Sequence, residues 1–488
     1  MNLLADIINR IVGVGDKRLF VVDNRDGFIM KHREAIQNEY GSNCRIFGGT
    51  SLDLRIVRDY HMQLDHNSRF IFVPSEDFTL LDDVAEDCER VTINMQRFFA
   101  RYHWNTIKNL SLSELQWLYE QRQLVSLNAI QTQNMVCEYQ RSPDFRRNAL
   151  KEIEQEWDRI ATKIDFRKAS EWMAGLSRLM VAALGLEAWG KLGDRVQSLN
   201  EQFQLFLSRN YQQIAHSGVS PKSPKVVTQI APFIARQDTN GKYALIVIDG
   251  MNFWQSMILA NAIEDSIRNA TIKYDATLAW LPSVTELSRQ AIFAGEVPSS
   301  TYIQSPHAEM KLWTDFWKSK HIPSPGIFYQ HSGELSPNAN SVRIGYVNTD
   351  LDDMMHSANN FKYLYDDTMR WVKDSSIVSD IQKLLANGVK VFITSDHGNI
   401  ETSPFRAFSQ ADKAGAISDR RYITLSEHAD AAQFEQSYFG HIQKLFEDER
   451  TYYAVDREIF SSQTDVVTHG GSHFLEVIIP FFTITTHL

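Results

Sequence analysis

The sequence predicts an α/β protein: a parallel-sheet domain in the C-terminal half, preceded by a small α/β domain and a helical domain. Three observations carry this. Tyr243-Ala-Leu-Ile-Val-Ile248 is an unbroken, β-favouring apolar run that ends in Asp249-Gly250. Such a run reads as a strand buried on both faces, the habit of strands in a parallel sheet. Further strand candidates at 276–280, 389–394 and 477–484 alternate with helical segments. Upstream, strand-like and helix-like segments alternate up to about residue 77, then give way to a long stretch of helical period.

Taken in order, Arg18-Leu-Phe-Val-Val-Asp23, Cys44-Arg-Ile-Phe47 and Arg69-Phe-Ile-Phe-Val-Pro74 read as strands, with 52–64 helical between the last two. This sets a small α/β domain over 1–77. Asp23 also closes a strand, but no His or second acid follows it, so it reads as structural. A helical domain is expected over 78–215. There Ser111 and Glu114 form a Ser-x-x-Glu capping signature, and 146–157 and 192–211 carry 3.6-period stretches rich in Glu, Gln, Leu and Phe. The Trp and Phe stripes read most simply as helix-packing core rather than as a base-stacking surface. Ser217-Gly-Val-Ser-Pro-Lys-Ser-Pro224 opens a linker over 216–239. The catalytic domain is expected over 240–488, and no internal repeat is detectable.

At 488 residues the chain is too long for one core. Its 43% hydrophobic and 23% charged residues are ordinary for a globular protein. A formal net charge of −10 argues against a sequence-blind binder of long duplex DNA. Small anionic substrates stay open, because a metal can supply local positive charge. Cys44, Cys88 and Cys137 lie far apart without metal-type spacing, which suits free thiols in a reducing cytoplasm. The start of the chain lacks a basic segment followed by an apolar core, and no run suits a membrane helix, so a cytoplasmic protein without membrane contact is expected.

In open parallel sheets the chemistry sits beyond the carboxyl ends of the strands, where Asp249 stands. Gly250 allows a sharp turn and a close approach. Such an acid alone is as readily a cap or a turn. Leu281-Pro-Ser-Val-Thr-Glu286 leads into a helix from about Glu286, which puts Ser283 and Thr285 near a helix N-terminus. The free N–H groups there favour an alkoxide and a bound phosphate; the plain alternative is an N-cap Thr. Val391-Phe-Ile-Thr-Ser-Asp-His-Gly398 again ends a buried strand in an acid, now joined to an imidazole, and Asp396 and His397 can share one metal. In Asp350-Leu-Asp-Asp-Met-Met-His356, Asp352 and His356 stand at i, i+4, on one helix face. Asp350 and Asp353 compete with Asp352, and a solvated acidic helix start is the alternative. In Thr468-His-Gly-Gly-Ser-His473, either His469 or His473 completes a second site. Together these stretches supply Asp, Asp, His and Thr for one ion and Asp, His and His for another. Oxygen and imidazole ligands without thiolates suit zinc or manganese. Two such ions roughly 4 Å apart can clamp the attacking and leaving oxygens of a phosphoryl transfer.

The same stretches, in this order, resemble the alkaline phosphatase superfamily. In detail they look like its PglZ branch, found in bacterial phage-defence (BREX-type) systems and as the output domain of some response regulators. The points of contact are Val-Ile-Asp249-Gly, the segment from Pro282 through Thr285, Arg289 and Gly295 to Pro298, Asp352-x-x-x-His356, Ser-Asp396-His397-Gly, and His469-Gly-Gly followed by Leu475-Glu-Val-Ile-Ile-Pro480. The resemblance covers roughly Gly241 to the C-terminus; the upstream helices with Trp172 and 203–211 look like the region that precedes this domain in longer PglZ proteins. It implies an alkaline-phosphatase-like catalytic domain with Thr285 as covalent nucleophile. Asp249, Asp396 and His397, with Thr285, would bind one metal, and Asp352, His356 and His469 the other. Arg289 would steady a phosphate oxygen. At Ser283 the family often shows Thr, which leaves two hydroxyls at the nucleophile turn. Gly250, Asn252 and Ser283 are expected to line the substrate. The function implied is a two-metal phosphodiesterase, zinc or manganese dependent, acting on short or cyclic oligonucleotides in phage defence or nucleotide signalling. The alternatives are a phosphomonoesterase and a non-catalytic scaffold. Nucleotide substrates, other defence proteins and a second copy of the chain are the expected partners.

Overall fold

The apolar run after Lys242 is a strand in the computed structural model, which describes residues 2–486 except 14, 42, 300, 447–448 and 462–465. The chain divides into two units, Met1–Lys151 and Glu152–Leu488. The helical stretch expected over 78–215 is therefore shared between them.

In the first unit four parallel strands, β1 (Leu19–Asp23), β2 (Cys44–Gly49), β3 (Arg69–Pro74) and β4 (Cys88–Thr92), stand in the order β2-β3-β1-β4. Period-2 alternation builds two cores. Phe20, Val22 and Ile71 face the helix Leu3–Val12, while Leu19, Val21, Phe70 and Phe72 face the other way. β4 lies where the sequence reads as helical. It is an edge strand whose Glu89, Val91 and exposed Arg90 and Thr92 give no apolar run. The capping box at Ser111 forms, with Glu114 accepting from the Ser111 backbone N–H at 2.8 Å.

In the second unit a six-stranded sheet is built from β5 (Lys242–Ile248), β6 (Ala270–Leu278), β7 (Ile327–His331), β8 (Arg343–Asn348), β9 (Val389–Thr394) and β10 (Ile478–Thr486). The order is β6-β10-β9-β5-β8-β7. Every pair involving β5, β8 and β7 is parallel, and β5 also runs parallel to β9. The exception to the expected parallel sheet is β10, antiparallel to both β6 and β9. Its chain enters from the loop carrying His469, at the carboxyl ends of the other strands, and can only run back. Sequence reading missed β7 and β8 and started β6 six residues late. β8 is buried throughout, but Arg343 and Gly345 interrupt its apolar run.

Helices Ala169–Gly185 and Gly193–Ala215 belong to this unit: Trp172, Phe203, Leu207 and Tyr211 share one core with Leu278 and Phe474. The second helix braces two loops of the site. Tyr211 Oη donates to the Ala279 carbonyl at 3.0 Å and accepts from the Leu281 N–H at 2.9 Å. Gln204 donates to the Ser472 carbonyl at 2.8 Å, and Asn200 accepts from the Phe474 N–H at 3.2 Å. Between β9 and the His469 loop the chain makes a small antiparallel sheet around Phe408, Phe434 and Phe460. Among the described residues, no helix is long and apolar enough to cross a membrane.

Candidate metal centre and nucleophile

Adjacent strands β5, β8 and β9 end side by side, and the segments that leave them converge. β5 delivers Asp249 and Gly250. Gly250 has φ 65°, and a Cβ there would stand 3.1 Å from Asp352 Oδ1, so glycine admits Asp352 to the site. β9 delivers Asp396 and His397, and Asp396 Oδ1 accepts from the backbone N–H of Gly250 at 3.1 Å and of His397 at 3.0 Å. β8 leads into the helix Asp350–Ser357, which carries Asp352.

Two groups of ligand atoms result, each with its atoms within 4.8 Å of one another: Asp249, Asp396 and His397, and Asp352, His397 and His469. His397 is common to both. Asp249 Oδ1 and Asp352 Oδ1 are buried without a hydrogen-bond partner. A buried, unpartnered carboxylate oxygen is costly, and a divalent cation is the partner that both oxygens suit. The imidazoles are poised the same way. His397 Nδ1 donates to the Gly398 carbonyl at 2.9 Å and His469 Nδ1 to the Ser283 carbonyl at 2.9 Å. That tautomer puts the lone pair of each ring on Nε2, the nitrogen that would ligate. The two rings stack at 3.8 Å. Burial, with His397 alongside, holds the His469 pKa down to about 3, which keeps it in the neutral form a ligand requires.

The carboxylates are unequal. Burial and the Asp396 charge push the Asp249 carboxyl well up. Burial acts on Asp396 too, but His397 and Arg289 overcome it and hold that carboxyl down. Arg289, buried and one helical turn after Thr285, bonds through Nη2 to Asp249 Oδ2, through Nε to Asp396 Oδ2 at 3.1 Å and through Nη1 to Glu309 Oε1 at 3.2 Å. Burial disfavours its charge, yet the three carboxylates push its pKa up.

Thr285 is the first residue of the helix Thr285–Ala294. It is not the N-cap; Val284 is, and no side chain caps there. The Thr285 hydroxyl donates instead to His397 Nε2 at 3.0 Å. Ser283, expected to line the substrate, is fully buried: its hydroxyl donates to the Gly471 carbonyl at 2.8 Å and accepts from the Gly470 N–H at 3.2 Å. It ties the turn before Thr285 to the His469 loop.

The other expected site residues take different places. Asp350 accepts from Asn348 Nδ2 at 2.9 Å and Trp371 Nε1 at 2.8 Å, and Asp353 is exposed, so Asp352 is the acid of its trio that enters the site. His356 stands at the rim, half exposed, outside both ligand groups, with Nε2 3.4 Å from Asp352 Oδ2. The hydrogen bond to Asp352 raises its pKa. His469 joins a ligand group and His473 does not. Asn252, also expected at the substrate, is wholly buried; its amide donates to the Asn399 and Leu475 carbonyls at 2.8 and 3.1 Å. Gly250 is buried as well and acts through its N–H and its missing Cβ. Arg289, expected against a phosphate oxygen, is spent on carboxylates.

Two pairs escaped sequence reasoning. Glu309 holds Arg289, and the buried Arg421–Glu476 pair, at 2.8 Å, carries the Gly471 N–H on Glu476 Oε1 at 2.8 Å. Glu476 falls within the 475–480 segment of the resemblance without a role attached to it. Nothing in the sequence around Glu309 marks it.

The family described as the BREX system PglZ alkaline phosphatase-like domain matches residues 226–322 and 333–484, just over half of the chain. Among solved structures, phosphonoacetate hydrolase from Sinorhizobium meliloti 1021, in complex with phosphonoformate, is 9% identical, with 50% of this chain and 89% of that one covered at a TM-score of 0.34. Murine ectonucleotide pyrophosphatase / phosphodiesterase 5 in complex with AMP is 11% identical, with 50% and 88% covered at a TM-score of 0.34. No curated protein matches.

Proposed function

The chain belongs to the PglZ family of alkaline-phosphatase-like domains, a phosphoester hydrolase class, and from that premise we propose that it is a two-metal phosphodiesterase acting on nucleotide linkages. The observation that carries the reading is the Thr285 hydroxyl, 3.0 Å from His397 Nε2, at a helix N-terminus beside two ligand groups that share His397. Divalent ions, zinc first and manganese second, would be held by Asp249, Asp396 and His397 and by Asp352 and His469, with His356 beside Asp352 at the rim, and would supply positive charge for the phosphoryl transfer.

The chain's own groups account for the rest. Thr285, whose hydroxyl lies beside the ligand nitrogen His397 Nε2, gives its proton to solvent as Oγ1 attacks phosphorus, and the bond to the leaving alcohol breaks as that oxygen gains a proton from solvent. The resulting phospho-threonine is hydrolysed by water, which restores Thr285 and releases the phosphomonoester. The N-terminus of the helix Thr285–Ala294 favours the anion through both stages. A diester is favoured over a monoester because Arg289 is committed to Asp249, Asp396 and Glu309. It is not free to balance the extra charge of a phosphate dianion. A net charge of −10 favours short substrates over long duplex DNA. The match to a family described as a BREX system domain supports a role in phage defence.

The test is metal analysis of the purified chain combined with matched assays on bis-(p-nitrophenyl) phosphate and p-nitrophenyl phosphate. Two bound ions and faster diester cleavage are expected. Full activity after chelation overturns the metal reading, and faster monoester cleavage makes the protein a phosphatase.

A further inference from the structure

A cavity of about 440 Å³ in the second unit is lined by none of the residues assigned above to metal or nucleophile. It is built on the same two loops. Ile400 and Glu401 on its wall follow His397 within four residues, and His473 follows His469 by four. Trp189 and Phe361 add two aromatic rings with centroids 5.7 Å apart. Trp189 is held in place, since its Nε1 donates to Glu401 Oε2 at 3.1 Å. The volume suits a ligand of nucleoside size.

The polar groups on the wall are specific. His473 is 0% exposed. Its Nδ1 accepts from the Leu475 N–H at 3.1 Å, so in the neutral ring the proton sits on Nε2. Burial, reinforced by Arg421 and Arg457, holds the His473 pKa well below its usual value, so the ring is neutral. Nε2 then carries a buried N–H without a hydrogen-bond partner. Asp456 Oδ1 stands 3.5 Å from it, and that oxygen too is buried and unpartnered. At this separation the two do not satisfy each other. A donor and an acceptor thus lie side by side on the wall of one cavity, each costly to leave unmet.

We propose that this cavity is a second ligand site that takes the base of a nucleoside or nucleotide, its ring against Trp189, which the buried Phe361 backs, and its edge offering an acceptor to His473 Nε2 and an N–H to Asp456 Oδ1. Adjacent donor and acceptor groups are what the Watson–Crick edge of a base presents, and aromatic side chains are the usual surface for its face. Other occupants fit less well. Among the described residues no group of three metal ligands forms here. Asp194, Glu401 and Asp456 on the wall outweigh Arg457, so a free phosphate is repelled. An occupant would bear on both loops that carry metal ligands. The site stands whether or not the phosphodiesterase reading does.

The experiment is calorimetric titration of the full chain, treated with chelator, with adenosine, guanosine, cytidine and uridine, which carry no phosphate for the metal groups. Saturable binding of at least one of them at a single site is expected. Gly190→Leu tests the cavity without removing a hydrogen bond, since a Cβ at Gly190 meets nothing within 4 Å and a larger side chain occupies the open space. Gly190→Leu and Asp456→Ala are each expected to weaken binding at least about tenfold, the loss of a buried hydrogen bond or of the space itself. Thr285→Ala is expected to leave the titration unchanged, and the matching 5′-monophosphate to bind no tighter than the nucleoside. No saturable binding by any of the four overturns the proposal. So does binding that survives Gly190→Leu in a variant with an unchanged melting curve, or binding lost in Thr285→Ala, which places the ligand at the metal centre instead.

Discussion

Asp23 and Asp249 each stand at the carboxyl end of an apolar strand of a parallel pairing, and they end in opposite situations. The Asp23 side chain is 49% exposed and pairs with Arg25 at 3.6 Å. The Asp249 side chain is 3% exposed and faces Arg289, Asp396 and His397. The neighbours make the difference. Beside β1, the acids that follow β3, Glu76 and Asp77, point into solvent, and β4 ends in Thr92. Beside β5, both β8 and β9 run on into acids and an imidazole that turn inward. A strand end offers a place for chemistry, and only a set of strand ends that deliver together makes a site.

Removing one acid from each region tests that contrast most strongly. Asp396→Ala is expected to empty its ligand group and lower hydrolysis by at least about a thousandfold. It also removes one of the three carboxylates that pair with the buried Arg289, at a cost of about 1–3 kcal/mol to the metal-free protein. Asp23→Ala is expected to change stability by no more than about 0.5 kcal/mol and to leave metal content and turnover alone. Metal analysis, calorimetry and diesterase assays on both variants decide it. A loss of activity in Asp23→Ala would end the distinction.

The two hydroxyls of the nucleophile turn give the next largest effect. Thr285→Ala should cost about a thousandfold in turnover with metal content kept, because a covalent step is lost while the ligands remain. Ser283→Ala should act on the fold: two hydrogen bonds to Gly470 and Gly471 go, for about 1–3 kcal/mol, with a smaller effect on turnover. If the ranking of turnovers inverts, Ser283 is the nucleophile.

Arg289→Met comes third. The variant leaves Asp249 and Asp396 without their counter-charge, so the metal-free protein should melt several degrees lower, while added divalent metal should raise its melting temperature more than it does for the unaltered chain. Equal metal-induced shifts in the two proteins would show that Arg289 does not balance the ligand carboxylates.

The smallest effect is on pH. In the folded chain His469 is held down to about 3 and His473 well below its usual value by burial, and in the first unit burial and Lys31 lower His32 to about 4. Each stays neutral when folded but takes a proton when unfolded below about 6.5, so the unfolded state binds more protons and stability falls as pH drops. His356, raised by Asp352, opposes this in part. The metal-free chain should therefore lose melting temperature steadily from pH 6.5 toward pH 4, and a flat profile over that window would contradict the buried, neutral imidazoles.

Local features were legible in the order of residues alone. β5, β9 and the first three strands read from their apolar runs, the capping box at Ser111 from its spacing, and the i, i+4 placement of Asp352 and His356 from the helical period. The motif residues Asp249, Thr285, Asp396, His397 and His469 stood out because a strand end, a helix start or a glycine flanks each one. Choices between near equals were settled by folding. Asp352 enters because Gly250 leaves room for it, while Asp350 is taken by Trp371 and Asn348. His469 faces the carboxylates because Ser283 takes its Nδ1, and His473 turns to a different cavity. β10 runs backward because of where its preceding loop lies, and β4 hides because an edge strand needs no apolar run. Arg289 finds Glu309 on another helix, twenty residues on. One cause runs through all of these cases. A residue's type and period are written in its neighbours along the chain, but the burial, the hydrogen-bond partner and the tautomer that decide its chemistry come from groups that only folding brings within a few ångströms.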